Sequence, residues 1–403
     1  MKSAPDSSQN RDVVSFTGPN FALILSLFLT SRLMLLMAFP PENLIFYGDY
    51  QHYFNLAELT RQGFYPYIDY WYEFPPIFPY LNIAIYTLAG QQLKNYILGL
   101  AFVLLLVEGG NLYLLYRLAL TLYGRPRATT IAWIYTGLFT PIFFWLGNFD
   151  ALTTFFILLG LYSLLKNKAG LLAISLGLGA MVKFLPVILL ATIWRMKGWK
   201  SMLVYSGAVI LISLIIFGPF ALINPSLTLA SLQAQAGKSS YQTIWALIDG
   251  NQTTGNFGPV ADHFEAAQAV TPVNNPARIP TWLTLIPFGL VGLFILTRPV
   301  QPAKAKLDAV VFTTLTFTIF FLWSQGWSPQ WQTFLIPLLL LTFAEGPALL
   351  FIITLGFINF LEWPVILSRG FNSLLPLTIV ARTGIFMLLT VRLYQQLRFG
   401  GRK

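Results

Sequence analysis

Apolar positions along the chain gather into unbroken runs instead of alternating with polar ones at the period of a strand or a half-exposed helix. Runs at 21–39, 96–120, 128–146, 152–165, 171–194, 202–220, 282–296, 309–323, 333–343, 348–361 and 374–394 are separated by polar or basic breaks. A helix rises about 1.5 Å per residue and about 20 residues cover the hydrocarbon core, so the pattern predicts about ten to twelve crossings of a bilayer. Lipid offers backbone amides no partner, which leaves helices as the spanning form for such runs. The expected fold is all-α: a polytopic membrane helix bundle, one transmembrane domain over 1–403.

Two intervals interrupt the pattern. Segments 40–95 and 221–281 are rich in Tyr, Trp, Phe, Pro and Asn and read as outer loops lying at the headgroup level. Within the first, 77–90 is apolar but too short to cross and follows Pro75-Pro76, so an interfacial or re-entrant helix is expected there. The run 171–194 contains Lys183 and Pro186. As one crossing it would set Arg195, Lys197 and Lys200 opposite Lys166 and Lys168; broken near Lys183, it returns to the same side.

Charge adds the orientation. Only 10% of residues are charged, against roughly a quarter in soluble domains, so lipid is the solvent. The net charge of +10 is then a matter of topology and not a sign of nucleic acid. With the break at Lys183, about 17 basic residues, Lys2, Arg11, Arg402 and Lys403 among them, share one side and about 5 the other, which predicts cytoplasmic termini and a plasma (inner) membrane location. Carboxylates such as Asp49, Asp69, Glu73 and Asp150 fall on the outer side, where an active site is expected. The polar segment 1–20 precedes a run with no small-residue cleavage pattern after it, and reads as the start of an uncleaved signal anchor. Cysteine is absent, so packing must hold the loops. No internal repeat of the kind found in transporters is visible.

The first loop opens with Tyr47-Gly48-Asp49-Tyr50-Gln51-His52-Tyr53. A carboxylate held where a helix leaves the membrane is suited to take the proton of an attacking hydroxyl; a Gly-Asp turn capped by Asp49 is the plainer alternative. Segment 63–76 sets Asp69 and Glu73 among aromatics including Tyr70, a mixture that stacks on sugar faces and accepts their hydroxyls, or an aromatic belt with solvated acids. Asn148 and Asp150, at an outward helix end, could complete an acceptor site, or a divalent ion could join Asp49 to Asp150. Two histidines argue against zinc and leave oxygen-bound Mg²⁺ or Mn²⁺. Arg32 and Glu108, both inside spans, are expected to neutralise each other. Segment 245–258, with Asn251, fits a sugar-binding lid or a plain turn-rich loop. Gly177-Leu178-Gly179-Ala180 lies in an apolar span and reads as close helix packing.

In their order, Gly48-Asp49-Tyr50, Gly63 with Pro66-Tyr67-Ile68-Asp69-Tyr70, and Glu73-Phe74-Pro75-Pro76 resemble the first outer loop of C-type (GT-C) polytopic glycosyltransferases. Among these the likeness is to glycosyltransferase family 87, the polyprenyl-phosphate-mannose-dependent mannosyltransferases. Met181-Val182-Lys183-Phe184-Leu185-Pro186 and Ser328-Pro329-Gln330-Trp331 fit the same pattern. The resemblance implies a polyprenyl-phosphate-linked sugar donor, a glycolipid or glycan acceptor, inversion at the anomeric carbon, and Asp49 as general base. Expected substrate contacts are His52, Tyr53, Asp69, Tyr70, Glu73, Asn148, Asp150, Lys183, Asn251 and Gln330. Loss of the lipid phosphate leaves negative charge that a cation must meet. Lys183 is the first candidate, with snorkelling or a pair with Glu108 as its alternative; Arg369, Arg382 and His52 come behind it. A transporter or flippase of lipid-linked sugars would share the aromatics, but should line both openings with polar groups, whereas the inward loops are short and basic. A channel would not need carboxylates massed on one side.

Overall fold

The computed structural model describes residues 20–45, 48–300 and 304–399. Tyr47 of the loop motif, segment 1–19, and Lys2, Arg11, Arg402 and Lys403 of the charge pattern lie outside them. Apolar runs become helices throughout, and no strand forms among the described residues. α1 (Phe21–Ala38) leads into a long loop carrying α2 (Pro41–Leu44), α3 (Tyr50–Glu58) and α4 (Ile77–Leu88). α5 (Leu93–Tyr123) is followed by α6 (Arg125–Gly137) and α7 (Phe139–Phe144), one apolar run bent at the extended residue Leu138. Next come α8 (Asp150–Leu165), α9 (Ala169–Val182), α10 (Leu189–Lys197) and α11 (Trp199–Ile223). The second long loop holds α12 (Pro225–Gly237) and α13 (Ile244–Asp249). α14 (Thr281–Leu296), α15 (Ala305–Trp323), α16 (Gln332–Thr342), α17 (Glu345–Phe360) and α18 (Leu375–Phe399) complete the bundle.

Among the described residues, six segments are long and apolar enough to cross a membrane: Phe21–Ala38, Leu93–Tyr123, Trp199–Ile223, Ala305–Trp323, Glu345–Leu367 and Asn372–Arg398. Four apolar helices, Ile77–Leu88, Asp150–Leu165, Ala169–Val182 and Thr281–Leu296, are shorter. Polar contacts sort the helix ends into two levels. At one, Arg127 pairs with Glu345 (3.2 Å), Gln396 donates to the Thr342 carbonyl (3.0 Å), and Arg195 donates to the carbonyls of Ile295 (3.0 Å) and Arg298 (2.8 Å). At the other, the two long loops meet.

The break expected within 171–194 is present. α9 ends at Val182, Lys183 is extended (φ −161°, ψ 138°), and a 3-10 turn over Leu185–Ile188 leads into α10. Lys197 Nζ then reaches Asn167 Oδ1 at 3.0 Å, so α10 comes back to the α8–α9 turn and the pair is a helical hairpin with Lys183 near its tip. Gly177 lets α9 approach α11: a Cβ there would lie 2.2 Å from Ile212, which is close packing as expected.

Arg32 and Glu108 are both buried and attract each other through space as expected, but they make no direct ion-pair contact among the described residues. Glu108 accepts from Asn111 (2.9 Å) and from the Tyr135 hydroxyl (3.0 Å), while the Arg32 guanidinium lies 3.5 Å from the Phe28 ring centre. Neutral donors on α5 and α6 take the hydrogen bonds of the carboxylate, while Arg32 donates to the Phe28 carbonyl (3.3 Å) and lies over the Phe28 ring.

Candidate active site

The first loop is pinned to the α7–α8 connection. Gly48 has φ +84°, and a Cβ there would lie 2.7 Å from the carbonyl oxygens of Leu146 and Gly147, so glycine alone permits the approach. The Asp49 amide then donates to the Gly147 carbonyl (3.0 Å), which sets Asp49 with Asn148 and Asp150 in the wall of a cavity of about 340 Å³. That volume falls within the range of small-ligand sites. Asp49 occupies the N-cap position of α3 but makes no capping bond, so the loop-capping alternative fails. Its Oδ2 accepts instead from the Tyr53 hydroxyl (3.2 Å), one turn along the helix. Asp49 is open to the cavity, and desolvation by the surrounding walls raises its pKa above the usual carboxylate value; His52 and Tyr53 pull the other way, and Asp150 adds to the rise.

Three carboxylates and three basic groups line this cavity. His52 Nε2 meets Glu73 Oε1 at 2.8 Å, with Glu73 buried. Burial opposes both charges, yet their mutual attraction wins: the histidine pKa rises and that of Glu73 is pushed down to about 2. Asp150, first residue of α8, accepts from Lys183 Nζ at 2.7 Å. Around that ammonium stand Phe74, Phe149, Trp331 and Phe334, with ring centres at 5.2 to 5.8 Å. Lys183 thus pairs with Asp150, and the alternative pairing with Glu108 is set aside. From the second loop come Gln235, Lys238, Tyr241, Gln242 and residues 254–257; Ser328 and Gln330 arrive on the turn before α16.

The two loops are sewn together above the cavity. Trp71 stacks on His263 (3.9 Å, 11°) and donates its indole N–H to the carbonyls of Asp262 and Glu265 (3.1 Å each). The Tyr72 amide donates to Ser231 (2.9 Å), and Gln235 donates to the Glu73 carbonyl (3.0 Å).

Residues 75–324, more than half of the chain, match the family model of glycosyltransferase family 87. The chain belongs to glycosyltransferase family 87. The family 87 match includes Asn148, Asp150, Lys183 and Lys238 and begins after Asp49, His52 and Glu73. Among solved structures, the apo oligosaccharyltransferase of Archaeoglobus fulgidus is similar at 13% identity and a TM-score of 0.46, over 93% of this chain and 56% of that one. The same enzyme tethered through a disulfide to an acceptor peptide with the NVT sequon gives 14% identity and a TM-score of 0.34, over 86% and 51%. The chain spans about half the length of these structures. No curated protein matches it.

In this family 87 chain, Asp49, His52, Tyr53, Glu73, Asn148, Asp150, Lys183 and Gln330 all line the cavity. Three expected contacts lie away from it. Asp69 accepts from the Tyr65 amide (2.8 Å) and closes a turn, Tyr70 donates to the Leu56 carbonyl (3.1 Å) beneath α3, and Asn251 is held by Ser240 (3.1 Å) and the backbone of Asn275. Each braces a loop. Arg369 is exposed, and Arg382 is buried against Glu362 (2.5 Å), so neither lysine substitute reaches the cavity. Lys238, one of the five outer basic residues with Arg61, Lys94, Arg278 and Arg369, and Tyr241 were not among the expected substrate contacts; in the sequence only an isolated lysine among small polar residues marks the place. Among the described residues no group of three or more His, Asp or Glu gathers as a metal site. Oxygen donors of Asp49, Asn148, Ser328 and Gln330 suit Mg²⁺ or Mn²⁺, but Asp150 is already engaged by an ammonium.

Proposed function

We propose that this family 87 membrane glycosyltransferase moves a sugar, mannose in the first instance, from a polyprenyl-phosphate carrier to a hydroxyl of a glycolipid or glycan, with inversion. The observation that carries the reading is an uncapped carboxylate, Asp49, that opens onto a cavity whose other walls hold ammonium groups. The acceptor hydroxyl gives its proton to Asp49 while its oxygen attacks the anomeric carbon from the face opposite the phosphate. The bond from that carbon to the phosphate oxygen breaks, and its electron pair stays on the phosphate, where positive side chains meet the charge. The aromatic walls, Phe74, Phe149, Tyr241 and Trp331, offer faces for the sugar ring. The basic loops at the level opposite the cavity support a cytoplasmic position for that level and an outer-face position for the site.

The test is to incubate purified protein with labelled polyprenyl-phosphate-mannose and membrane extract, with carrier-linked glucose and arabinose as parallel donors. Labelled glycan from the mannosyl donor is expected; label from glucose or arabinose alone would move the specificity. No product from any carrier, together with carrier crossing a liposome wall, would establish transport instead. Chelation gives a second expected result. With Lys183 already neutralising Asp150, EDTA should leave the rate unchanged; loss restored by Mg²⁺ or Mn²⁺ would assign a bridging ion to Asp49 and Asp150.

A further inference from the structure

The charges of the cavity pair off unevenly. Asp150 has Lys183 at 2.7 Å and Glu73 has His52 at 2.8 Å, which leaves Asp49 and Lys238 without an ion-pair partner among the described residues. Lys238 stands at the C-cap of α12, where the chain turns extended (φ −66°, ψ 132°). Its ammonium lies 4.0 Å from the ring centre of Phe257 and 4.7 Å from that of Tyr241. Gly255 packs on its stem, since a Cβ at that glycine would lie 2.6 Å from Lys238 Cε. Two rings and a close backbone thus hold the Lys238 ammonium in the cavity with no carboxylate in direct contact among the described residues. An ammonium withdrawn from water in this way is costly until an anion completes the site.

We propose that Lys238 is the anion subsite of the cavity and binds the phosphate group of the lipid-linked donor, with Lys183 retained by Asp150. The inference rests on the glycosyl-transfer reading and refines it. In that reaction a phosphodiester monoanion becomes a phosphomonoester as the carbon–oxygen bond breaks and its electron pair passes to the phosphate. A fixed cation therefore gains interaction energy as the transition state is approached. Lys183 cannot serve equally, because a phosphate would have to displace Asp150 from it.

Charge at Lys238 is itself tunable. Burial pushes its pKa down to about 8, against the attraction of Glu73 and Asp49. The titratable groups that face it are Asp49, His52 and Glu73 from the first loop and Tyr241 beside it, whose pKa burial raises. Phosphate binding should consequently weaken as pH rises through about 8, when the ammonium of the free protein loses its proton.

The experiment measures binding of polyprenyl phosphate, neutral polyprenol and inorganic phosphate to the full chain in micelles, for wild type, Lys238→Gln, Lys238→Arg and Asp49→Asn. Lys238→Gln should bind polyprenyl phosphate about tenfold or more weakly, with polyprenol binding and melting temperature unchanged. Lys238→Arg should stay within about threefold of wild type and lose the weakening near pH 8. Equal binding by wild type and Lys238→Gln overturns the proposal. So does Lys238-dependent binding of inorganic phosphate as tight as that of the lipid, which would make the subsite one for a free anion. Asp49→Asn should bind polyprenyl phosphate at least as well as wild type. If that variant still transfers sugar, the base assignment falls while the Lys238 result stands on its own.

Discussion

Asp49→Asn is expected to lower kcat/KM for sugar transfer by about 10³-fold, the middle of the range for a positioned general base, with donor binding retained. The substitution keeps the shape of the side chain and its place at the head of α3, so folding should be unaffected. Asp49→Glu should recover only part of the rate, because Gly48 and the bond from the Asp49 amide to Gly147 fix the backbone and the longer arm misplaces the oxygen. The pH profile supplies an independent reading. The carboxylate acts when ionised, so the wild-type rate should rise with pH through the Asp49 pKa, which lies above its ordinary 3.8, and level off beyond it. An Asn variant with measurable rate should lack that acid limb. Transfer at the wild-type rate by Asp49→Asn would remove the residue from the chemistry.

The largest effect on stability is expected at Arg382. Its guanidinium donates to Glu362 Oε2 (2.5 Å) and to the Gln242 carbonyl, and Gln242 in turn donates its amide to Glu362 Oε1 (2.8 Å). Glu362 and Arg382 are 0% and 2% exposed. Gln242 also carries φ +51°, a left-handed backbone that is costly for a residue with a side chain and persists only where its surroundings fix it. Arg382→Met would leave a buried carboxylate unpaired and release that backbone. The expected loss is about 3–5 kcal/mol, seen as a lower melting temperature in detergent. Adding Glu362→Leu to Arg382→Met should restore most of it, since an apolar pair needs no counter-charge. Because Gln242 also lines the cavity, the single variant should raise KM as well. An unchanged melting curve would show that neutral neighbours suffice for Glu362.

The membrane fold was legible because hydropathy is a local property, written out in runs, and because the positive charges forced a break where Lys183 interrupts one of them. The place of Asp49 in the cavity wall follows from the glycine before it, although Glu42 is the first carboxylate past the first helix. The loops were not. In a chain without cysteine they are held by long-range polar contacts, such as Tyr72 to Ser231 and Trp71 to Asp262, whose partners cannot be chosen from composition. Asp69, Tyr70 and Asn251 resemble sugar contacts in type, yet each is spent on fixing a turn or a carbonyl. Lys238 has the opposite history: nothing in its surroundings along the chain marks it, and only the folding of residues 254–257 over its stem gives it a role.

The hairpin of α9 and α10 also sets how deep the reaction lies. α9 has 14 residues, so it rises about 21 Å before the chain turns at Lys183, against a hydrocarbon thickness of about 30 Å. In the proposed topology, with α9 starting at the inner headgroup level, the floor of the cavity would lie in a recess below the plane of the outer lipid headgroups. A carrier phosphate would be drawn down into this pit beside its own tail, and an acceptor has to dip into it from the water, so acceptors that are themselves anchored or slender have the easier approach.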